Sequence, residues 1–400
     1  MVKLFLFLCF IFSFLSFRLH STPFLTMDEA VAIAIANHPV ARNAALLEQK
    51  DAMKRQQSVE IAPLNLRYLQ RNAATLGNAQ IWSITQDFGS IPEHLRRAQL
   101  YRAESLTKQI ERTLTLDELI RQVKAAYMNV AYYGQRLQIM QEHIHYFEAL
   151  ISIAEIHLFV DSISDLLKVS TGARYASYRS RMYIAEEELK RAEMRLRQLM
   201  FVPDAKIETY QAELQLYQIH PEKPLLERFD PMTHNLLDAA QIAEAESAVK
   251  LEKSKLYPAI HAGYFQQNIE GMNSYQGWMI GLSVPLWAQP QRARIKQAEI
   301  DIMVKAYETE YRQFADRQHI ETLKSLLNEY FVQISFTKEN LLLEAELTLK
   351  EIEIDFATGR ITDYAEAFTK VSNAVYAKLE HLEYIILYNH TALELEYLTQ

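Results

Sequence analysis

Histidine and cysteine are the residues of this 400-residue chain whose spacing could support metal binding or nucleophilic catalysis. His143 and His145 are two positions apart, and on a helix such side chains point about 200° apart and cannot share a metal ion. We therefore expect two exposed helix histidines. The single cysteine is Cys9, and the usual short motifs of metalloproteases, hydrolases and nucleotide-binding proteins do not occur. The sequence predicts no enzyme, no catalytic or cofactor-binding residue, no cofactor and no metal site.

Two acidic residues occupy matching places near two predicted turns. Asp165 follows Ile163 and Ser164, and Asp363 follows Ile361 and Thr362 at positions 198 residues further along the chain. A carboxylate at a helix N-terminus accepts backbone hydrogen bonds and interacts favourably with the helix dipole. From the residues alone, both aspartates are therefore candidates for helix caps.

Four aromatic residues, Tyr68, Trp82, Tyr264 and Trp278, lie in short segments where apolar residues alternate with polar or small ones. A period of two is typical of a β-strand with one apolar face. The segments have about 8–11 residues, close to the 9–11 that a membrane-spanning strand needs. Because aromatic rings are enriched at membrane interfaces, these four are candidate membrane-interface residues. The strand pattern alone also fits two hairpins packed on a soluble core.

Long helices are predicted by the scarcity of residues that end helices. The chain has only 9 Gly and 11 Pro, and Gly359 is the only residue of either type among the 110 residues after Pro290. Such gaps exclude an all-β protein and a βαβ enzyme with short elements. Apolar seams with a period of about 3.5 run from Leu116 to Ile151 and from Leu323 to Ile352, which predicts coiled-coil packing. We expect residues 291–358 to form one helix of about 100 Å.

The same order of elements occurs twice along the chain. Gln80 to Trp82 is matched by Gln276 to Trp278, 196 residues later, and each half reads as helix, strand pair, long helix, turn and return helix. We predict a first repeat at 22–200 with strands at 64–88, a linker at 201–231, and a second repeat at 232–400 with strands at 259–285.

The N-terminus is typical of a secretory signal peptide at residues 1–21. Lys3 precedes an apolar stretch of 14 residues, Leu4–Phe17. At 1.5 Å per residue this stretch reaches about 21 Å, short of the ~30 Å hydrocarbon core of a bilayer. Its removal would leave a mature chain without cysteine. A net charge of -8 gives no basis for binding nucleic acid.

In order, these features resemble the TolC-like outer-membrane efflux proteins over nearly all of residues 24–400. The residues that carry the resemblance are Leu25-Thr26-Met27-Asp28-Glu29-Ala30 with Asn37-His38-Pro39, Val284-Pro285-Leu286-Trp287, and Gly359-Arg360-Ile361-Thr362-Asp363. The first repeat departs from the family at Gln86-Asp87-Phe88, where a Pro-aromatic pair is expected, and at Asp161-Ser162-Ile163, which lacks a glycine.

The resemblance implies a mainly α fold with a small β part and a two-fold internal repeat. Long coiled-coil hairpins would form a periplasmic α-barrel, and four strands per chain would contribute to a 12-stranded transmembrane β-barrel in a homotrimer. It also implies a location in the outer membrane, contact with its lipid, and a large periplasmic part. The partners would be a periplasmic adaptor (membrane fusion) protein and an inner-membrane pump, and the function would be that of a passive exit duct in tripartite efflux or type I secretion.

In the family, acidic residues just after the turn before the last helix narrow the periplasmic mouth. The matching positions are Asp363 and Glu366, with Asp165 in the first repeat. Rings of carboxylates in a trimer would favour cations, so these three are candidate gate or selectivity residues. The alternative function is a soluble periplasmic coiled-coil scaffold or adaptor, which would account for the seams and leave the aromatic strands without a role.

Overall fold

A computed structural model describes residues 25–73, 77–158, 165–202, 214–218, 232–269, 274–361 and 363–399. The predicted mainly α fold with a small β part is confirmed within them. The helices, in chain order, are α1 (Met27–Asn37), α2 (Pro39–Gln56), α3 (Ile91–Leu158), α4 (Asp165–Met200), α5 (Met232–Ser254), α6 (Gln289–Phe336), a π-helix (Thr337–Leu341), α7 (Leu342–Thr358) and α8 (Tyr364–Thr399). The strands are β1 (Asn65–Ala73), β2 (Gly77–Gly89), β3 (Ala259–Ile269) and β4 (Tyr275–Ser283).

Helix α1 begins with a capping box that the sequence encodes locally. The backbone N–H of Glu29 donates to the Thr26 hydroxyl at 3.2 Å, and the N–H of Thr26 donates to the Glu29 carboxylate at 3.0 Å. This exchange satisfies two backbone donors that a helix N-terminus otherwise leaves unpaired. The helix ends at Asn37, and α2 starts two residues later at Pro39, whose ring fits the first turn of a helix.

The segment expected to form one uninterrupted helix at 291–358 is divided by the π-helix. The segment is helical throughout, and residues 337–341 adopt π geometry between α6 and α7. The Thr337 hydroxyl donates to the carbonyl of Ile334 at 3.1 Å and lies 2.7 Å from Nδ1 of His381 in α8. A π turn inserted in an α-helix rotates the side chains that follow it around the helix axis. Thr337 is buried at its contact with α8.

The C-terminus of α7 is the glycine turn that the sequence singles out. Gly359 has φ +66°, a left-handed conformation that other residues adopt only at a cost. The N–H of Gly359 donates to the carbonyl of Phe356 at 3.3 Å, and the N–H of Arg360 donates to Asp355 at 3.0 Å. These bonds close the last turn of α7 and reverse the chain toward α8.

The described residues form two compact units. The first takes its described residues from Met1–His38, Glu118–Lys223 and Thr322–Tyr397, and the second from Pro39–Asp117, Pro224–Glu321 and Leu398–Gln400. In the first unit, Ala30 of α1 packs with Val123 and Val130 of α3 and Leu196 of α4. Both predicted seams supply core residues here: Leu119, Val123, Ala126, Val130, Met140, Phe147, Leu323, Leu327, Ile334, Ala345 and Ile352 are buried.

Ion pairs join neighbouring helices in the second unit. Arg112 of α3 donates to the buried Asp51 of α2 at 2.7 Å, and Lys253 of α5 contacts Glu299 of α6 at 2.8 Å. The guanidinium of Arg312 in α6 donates to Asp238 of α5, which is 2% exposed. A buried carboxylate is costly unless a cation and hydrogen bonds compensate it, and Arg112 and Arg312 compensate Asp51 and Asp238 in this way.

The four strands of the second unit form one antiparallel sheet in the order β1-β2-β3-β4. Tyr68 pairs with Trp82 across β1 and β2, and Tyr264 pairs with Trp278 across β3 and β4. Ile84 of β2 pairs with Tyr264 of β3, which joins the two hairpins into a single sheet. The sheet therefore combines the strand pair of each sequence repeat.

Candidate functional site

One face of the sheet is a continuous apolar surface. Residues that pair directly across antiparallel strands lie on the same face, and the registers of all three strand pairs place the even-numbered residues together. Trp278 and Ile280 are each 83% exposed and Leu282 is 65% exposed. The exposed apolar members of this face are Leu66, Tyr68, Trp82, Ile84, Trp278, Ile280 and Leu282. An exposed apolar area this continuous marks an interaction surface.

The opposite face carries most of the polar and small residues of the sheet. Its members include Asn65, Arg67, Ser83, Thr85, Asp87, His261, Gly263, Gly277 and Gly281, together with the larger apolar residues Leu69, Ile81, Phe265 and Met279. The ring of Phe265 covers Gly277, and the imidazole of His261 covers Gly281, each across a strand pair. The small residues thus leave room for rings that lie flat along this face.

The four aromatic residues predicted from the sequence form two cross-strand pairs. The ring centroids of Tyr68 and Trp82 are 4.5 Å apart, and those of Tyr264 and Trp278 are 5.2 Å apart in an edge-to-face arrangement. Such pairs contribute about 0.5–1.5 kcal/mol beyond the area they bury. The structure therefore brings the four residues together on the apolar face, and their position at a membrane interface stays a prediction.

Amide side chains border the apolar face toward the hairpin turns. Gln276 accepts a hydrogen bond from the Tyr264 hydroxyl at 2.8 Å, and Asn268 accepts one from the Ser274 hydroxyl at 2.6 Å. Gln70, Gln80 and Gln266 continue this border across the other strands. In membrane-spanning barrels, girdles of aromatic residues border the apolar band.

Asp363 caps the N-terminus of α8. Its Oδ1 accepts hydrogen bonds from the backbone N–H groups of Ala365 at 2.9 Å and Glu366 at 3.0 Å. The side chain is exposed, so its charge also reaches solvent. The structure thus gives Asp363 the capping role that the residue pattern predicts and leaves its role as a gate untested.

Glu366 lies one turn into α8 and has a local counter-ion that the sequence reasoning missed. Its carboxylate is 63% exposed and lies 3.2 Å from Nζ of Lys370, four residues later. The hydrogen bond that Lys370 donates to the Glu366 carboxylate raises the pKa of Lys370. A spacing of four on a helix was the signal that could have identified this pair. Nζ of Lys370 also lies 3.9 Å from Glu351 of α7.

Asp165, the third gate candidate, is the first residue of α4. Its side chain, like Ile163 and Ser164 before it, lies outside the described part of the chain. Its position at a helix N-terminus is the place where a carboxylate is favourable. Its proposed role at the mouth of a channel therefore stays a prediction.

His143 differs from the expectation of an exposed helix histidine, because its side chain is only 5% exposed. Nδ1 lies 2.6 Å from the carbonyl oxygen of Ile139, and Nε2 lies 3.2 Å from Nζ of Lys378 in α8. Burial lowers the pKa of His143, which favours the neutral imidazole that accepts from Lys378. Within the described residues no group of three potential ligands could hold a metal ion.

No described helix combines the length and the apolar character needed to cross a membrane. The longest described helix, α3, has 68 residues, and charged residues occur along its whole length.

Comparison with known proteins gives matches at the level of structure. No family model matches the sequence, and no curated protein matches it. The solved structure of CusC, described in connection with transmembrane channel formation, superimposes with a TM-score of 0.76 at 14% identity, covering 95% of this chain and 94% of that one.

Two further solved structures show the same fold. The outer-membrane channel OprN matches with a TM-score of 0.77 at 14% identity, covering 94% of this chain and 90% of that chain. The MtrE outer-membrane channel of Neisseria gonorrhoeae, in its open state, matches with a TM-score of 0.71 at 12% identity, covering 94% and 89%. The chain therefore has the fold of the TolC-like outer-membrane channels, as its sequence pattern predicts.

Proposed function

We propose that this protein is an outer-membrane channel, the exit duct of a tripartite efflux or type I secretion system. The observation that carries the proposal is the four-stranded sheet whose apolar face is exposed and bordered by aromatic and amide side chains. A soluble periplasmic scaffold would bury that face or replace it with polar residues, because exposed apolar area of this extent is costly in water. The full-length similarity to solved channel structures supports the same choice.

We propose a homotrimer because one sheet of four strands has two open edges. Within the described residues β1 pairs only with β2, and β4 only with β3. Unpaired backbone groups cannot face lipid, so a membrane sheet must close on itself. The strands alternate in direction, so β4 of one copy is antiparallel to β1 of the next. Three copies related by a three-fold axis would close a barrel of twelve strands.

The orientation follows from the chain path. The predicted signal peptide at residues 1–21 would direct export of the chain, and both ends of each hairpin lead into helices. The helices would therefore lie in the periplasm and form the α-barrel, in contact with an adaptor protein and an inner-membrane pump. Conduction would be passive, since the sequence has no nucleotide-binding motif that could couple it to ATP hydrolysis.

The acidic residues at the start of α8 are proposed to set the ion preference of the periplasmic mouth. In a trimer, Asp363 and Glu366 would form rings of carboxylates, and Asp165 would add a further ring. Lys370 reduces the net charge contributed by Glu366 because the two side chains form an ion pair. We therefore assign the larger share of any cation preference to Asp363.

Fractionation and conductance test this function together. We expect the protein to remain with the outer membrane after a high-salt wash, to run as a heat-sensitive trimer in mild detergent, and to form ion-conducting pores in planar bilayers. Release by salt, combined with the absence of pores, would support the scaffold instead. The variant Trp278→Arg tests insertion into the membrane. A charge on the lipid face costs about 2–4 kcal/mol at the midplane and less near the interface, so this variant should insert less well than the parent.

A further inference from the structure

The first unit contains a cavity of 260 Å³ between α3, α4 and α8. Helix α3 contributes Arg136 and Met140 to its lining, α4 contributes Tyr178 and Arg181, and α8 contributes Tyr376 with its neighbours. Ligand pockets usually measure about 300–1,000 Å³, so this cavity fits only a small molecule.

The charged groups of this cavity are of one sign. The guanidinium of Arg181 lies over the ring of Tyr376, 5.3 Å from its centroid. Among the described residues, Arg181 has no carboxylate within ion-pair distance, whereas Arg136 donates to Glu188 at 2.9 Å. No Asp or Glu is among the residues that line the cavity. Arg181 is exposed, so its guanidinium faces solvent at the mouth of the cavity and is available to an anion there.

The remaining walls are suited to an apolar body. Val375 is 1% exposed and Met140 is 2% exposed, and both present aliphatic or thioether groups to the cavity. The Tyr178 hydroxyl donates to the carbonyl of Met140 at 2.9 Å, so its proton is already used. A ligand here therefore needs few polar atoms besides the group that contacts Arg181.

We propose that this cavity binds a small organic monocarboxylate with a compact apolar body, such as an aryl carboxylate. The carboxylate would accept hydrogen bonds from Arg181, since a guanidinium presents two parallel donors to a carboxylate. The apolar body would lie against Met140 and Val375. Because Arg181 belongs to α4 and Tyr376 to α8, the bound ligand adds a link between these two helices.

A larger cavity in the same unit lacks this preference. It measures 710 Å³ and is bounded in part by the π-helix. Lys338 and Lys378 line it together with Glu142 and Glu346, so cations and carboxylates are present in equal number. The difference in charge, rather than in volume, favours the smaller cavity as the site for an anion.

Isothermal titration calorimetry on the purified full-length chain in detergent tests this site with benzoate as the probe. We expect millimolar or tighter binding, and a loss of about tenfold or more in Arg181→Gln, because charge-assisted hydrogen bonds are stronger than neutral ones. Arg195→Gln, an exposed arginine on the same helix whose guanidinium bonds to Gln198, is the matched control and should bind as the parent does.

A second variant keeps Arg181 and fills the cavity with a larger side chain. Ile184 lines the cavity and is 48% exposed, so Ile184→Trp should block benzoate while preserving the helical circular dichroism spectrum. Benzyl alcohol, which has the same ring without the charge, should bind at least tenfold more weakly than benzoate. Equal affinity for the two probes, equal loss in Arg195→Gln, or no benzoate binding at tens of millimolar would overturn the proposal. None of these measurements depends on channel activity.

Discussion

The carbonyl oxygen of Ile84 lies against Gly263 on the neighbouring strand, where a β-carbon built on the glycine would come within 2.8 Å of it. The methyl group of Thr85, the register partner of Gly263, would be equally close. A backbone oxygen in a central strand cannot move aside as a flexible side chain does. This contact makes glycine at position 263 a requirement of the β2–β3 junction, where the hairpins of the two repeats meet.

Gly263→Ala should therefore lower the free energy of unfolding by about 1–3 kcal/mol, the usual cost of overpacking. Thermal unfolding followed by circular dichroism in detergent measures the effect. Gly172→Ala is the matched control, because the added methyl group meets no atom within 4 Å and alanine in a helix is favoured over glycine by about 0.5–1 kcal/mol. A variant at 263 as stable as the parent would contradict the close approach.

The two roles of Asp363 can be separated by the choice of substitution. Asp363→Ala removes the acceptor for the N–H groups of Ala365 and Glu366 and should cost about 1 kcal/mol of stability. Asp363→Asn keeps an acceptor oxygen at the cap and removes the charge, so its stability should stay close to that of the parent. Chemical denaturation of the two variants provides the comparison.

The gate proposal predicts a change in conductance for the charge-neutral pair Asp363→Asn and Glu366→Gln. Removing both carboxylates should raise single-channel conductance and weaken cation selectivity, since rings of acidic residues favour cations. Glu186→Gln with Glu187→Gln, two acidic residues elsewhere on α4 that pair with Lys190, is the control. Unchanged conductance and selectivity in the first pair would remove these residues from the gate.

Tryptophan fluorescence distinguishes the two faces of the sheet. The chain has three tryptophans, and Trp82 and Trp278 lie on the apolar face. In a Trp287→Phe variant reconstituted into vesicles, brominated phospholipids should quench most of the emission, because both rings would contact lipid. Phe265→Trp in a tryptophan-free background places the reporter on the opposite face and should be quenched little. Equal quenching of both reporters would contradict the assignment of the lipid-facing side.

Asn389 holds the segment 214–218 against α8. Its Oδ1 accepts from the backbone N–H of Tyr217 at 2.7 Å, and its Nδ2 donates to the carbonyl of Gln215 at 2.8 Å. Asn389→Leu would remove both hydrogen bonds to these part-buried backbone groups, at a cost of about 0.5–1.5 kcal/mol each. Hydrogen exchange should show lost protection at the Tyr217 amide, whereas Asn373→Leu, an exposed position on the same helix, should retain it.

His143 predicts a loss of stability in mild acid. Burial lowers its pKa in the folded chain, and the nearby ammonium of Lys378 lowers it further, while the hydrogen bond to Ile139 and the charge of Glu142 act in the opposite direction. An unfolded histidine titrates near about 6.5. Below that pH the unfolded chain binds more protons than the folded chain, so stability falls until the pH passes the folded pKa.

His143→Gln should therefore reduce the drop in melting temperature between pH 7.5 and pH 5. Burial also lowers the pKa values of His381 and His390, so part of the drop should remain in this variant. Gln141→Ala, an exposed position without a titrating group on α3, should leave the pH dependence as it is in the parent. An identical pH profile for His143→Gln and the parent would show that this histidine does not couple protons to folding.

The sequence by itself determined the types of element and the faces of the strands. The alternation around Tyr68 and Trp278 is a local property of the backbone, since successive side chains of a strand point to opposite sides. The seam that includes Val123 and Val130 follows from the helical repeat in the same way. The position of Asp363 next to a glycine turn likewise predicted its cap, because capping depends on residues only two or three positions apart.

The tertiary structure decided the relationships between distant segments. The register that sets Ile84 beside Tyr264 depends on how two hairpins from separate repeats meet, and no local period specifies it. His143 is buried because Lys378 of α8, 235 residues away, packs across it. The buried Thr337 of the π-helix and the position of Arg181 over the ring of Tyr376 likewise depend on contacts with α8. Local periodicity fixes which way a side chain points, whereas its partner is fixed only when the helices and strands have packed.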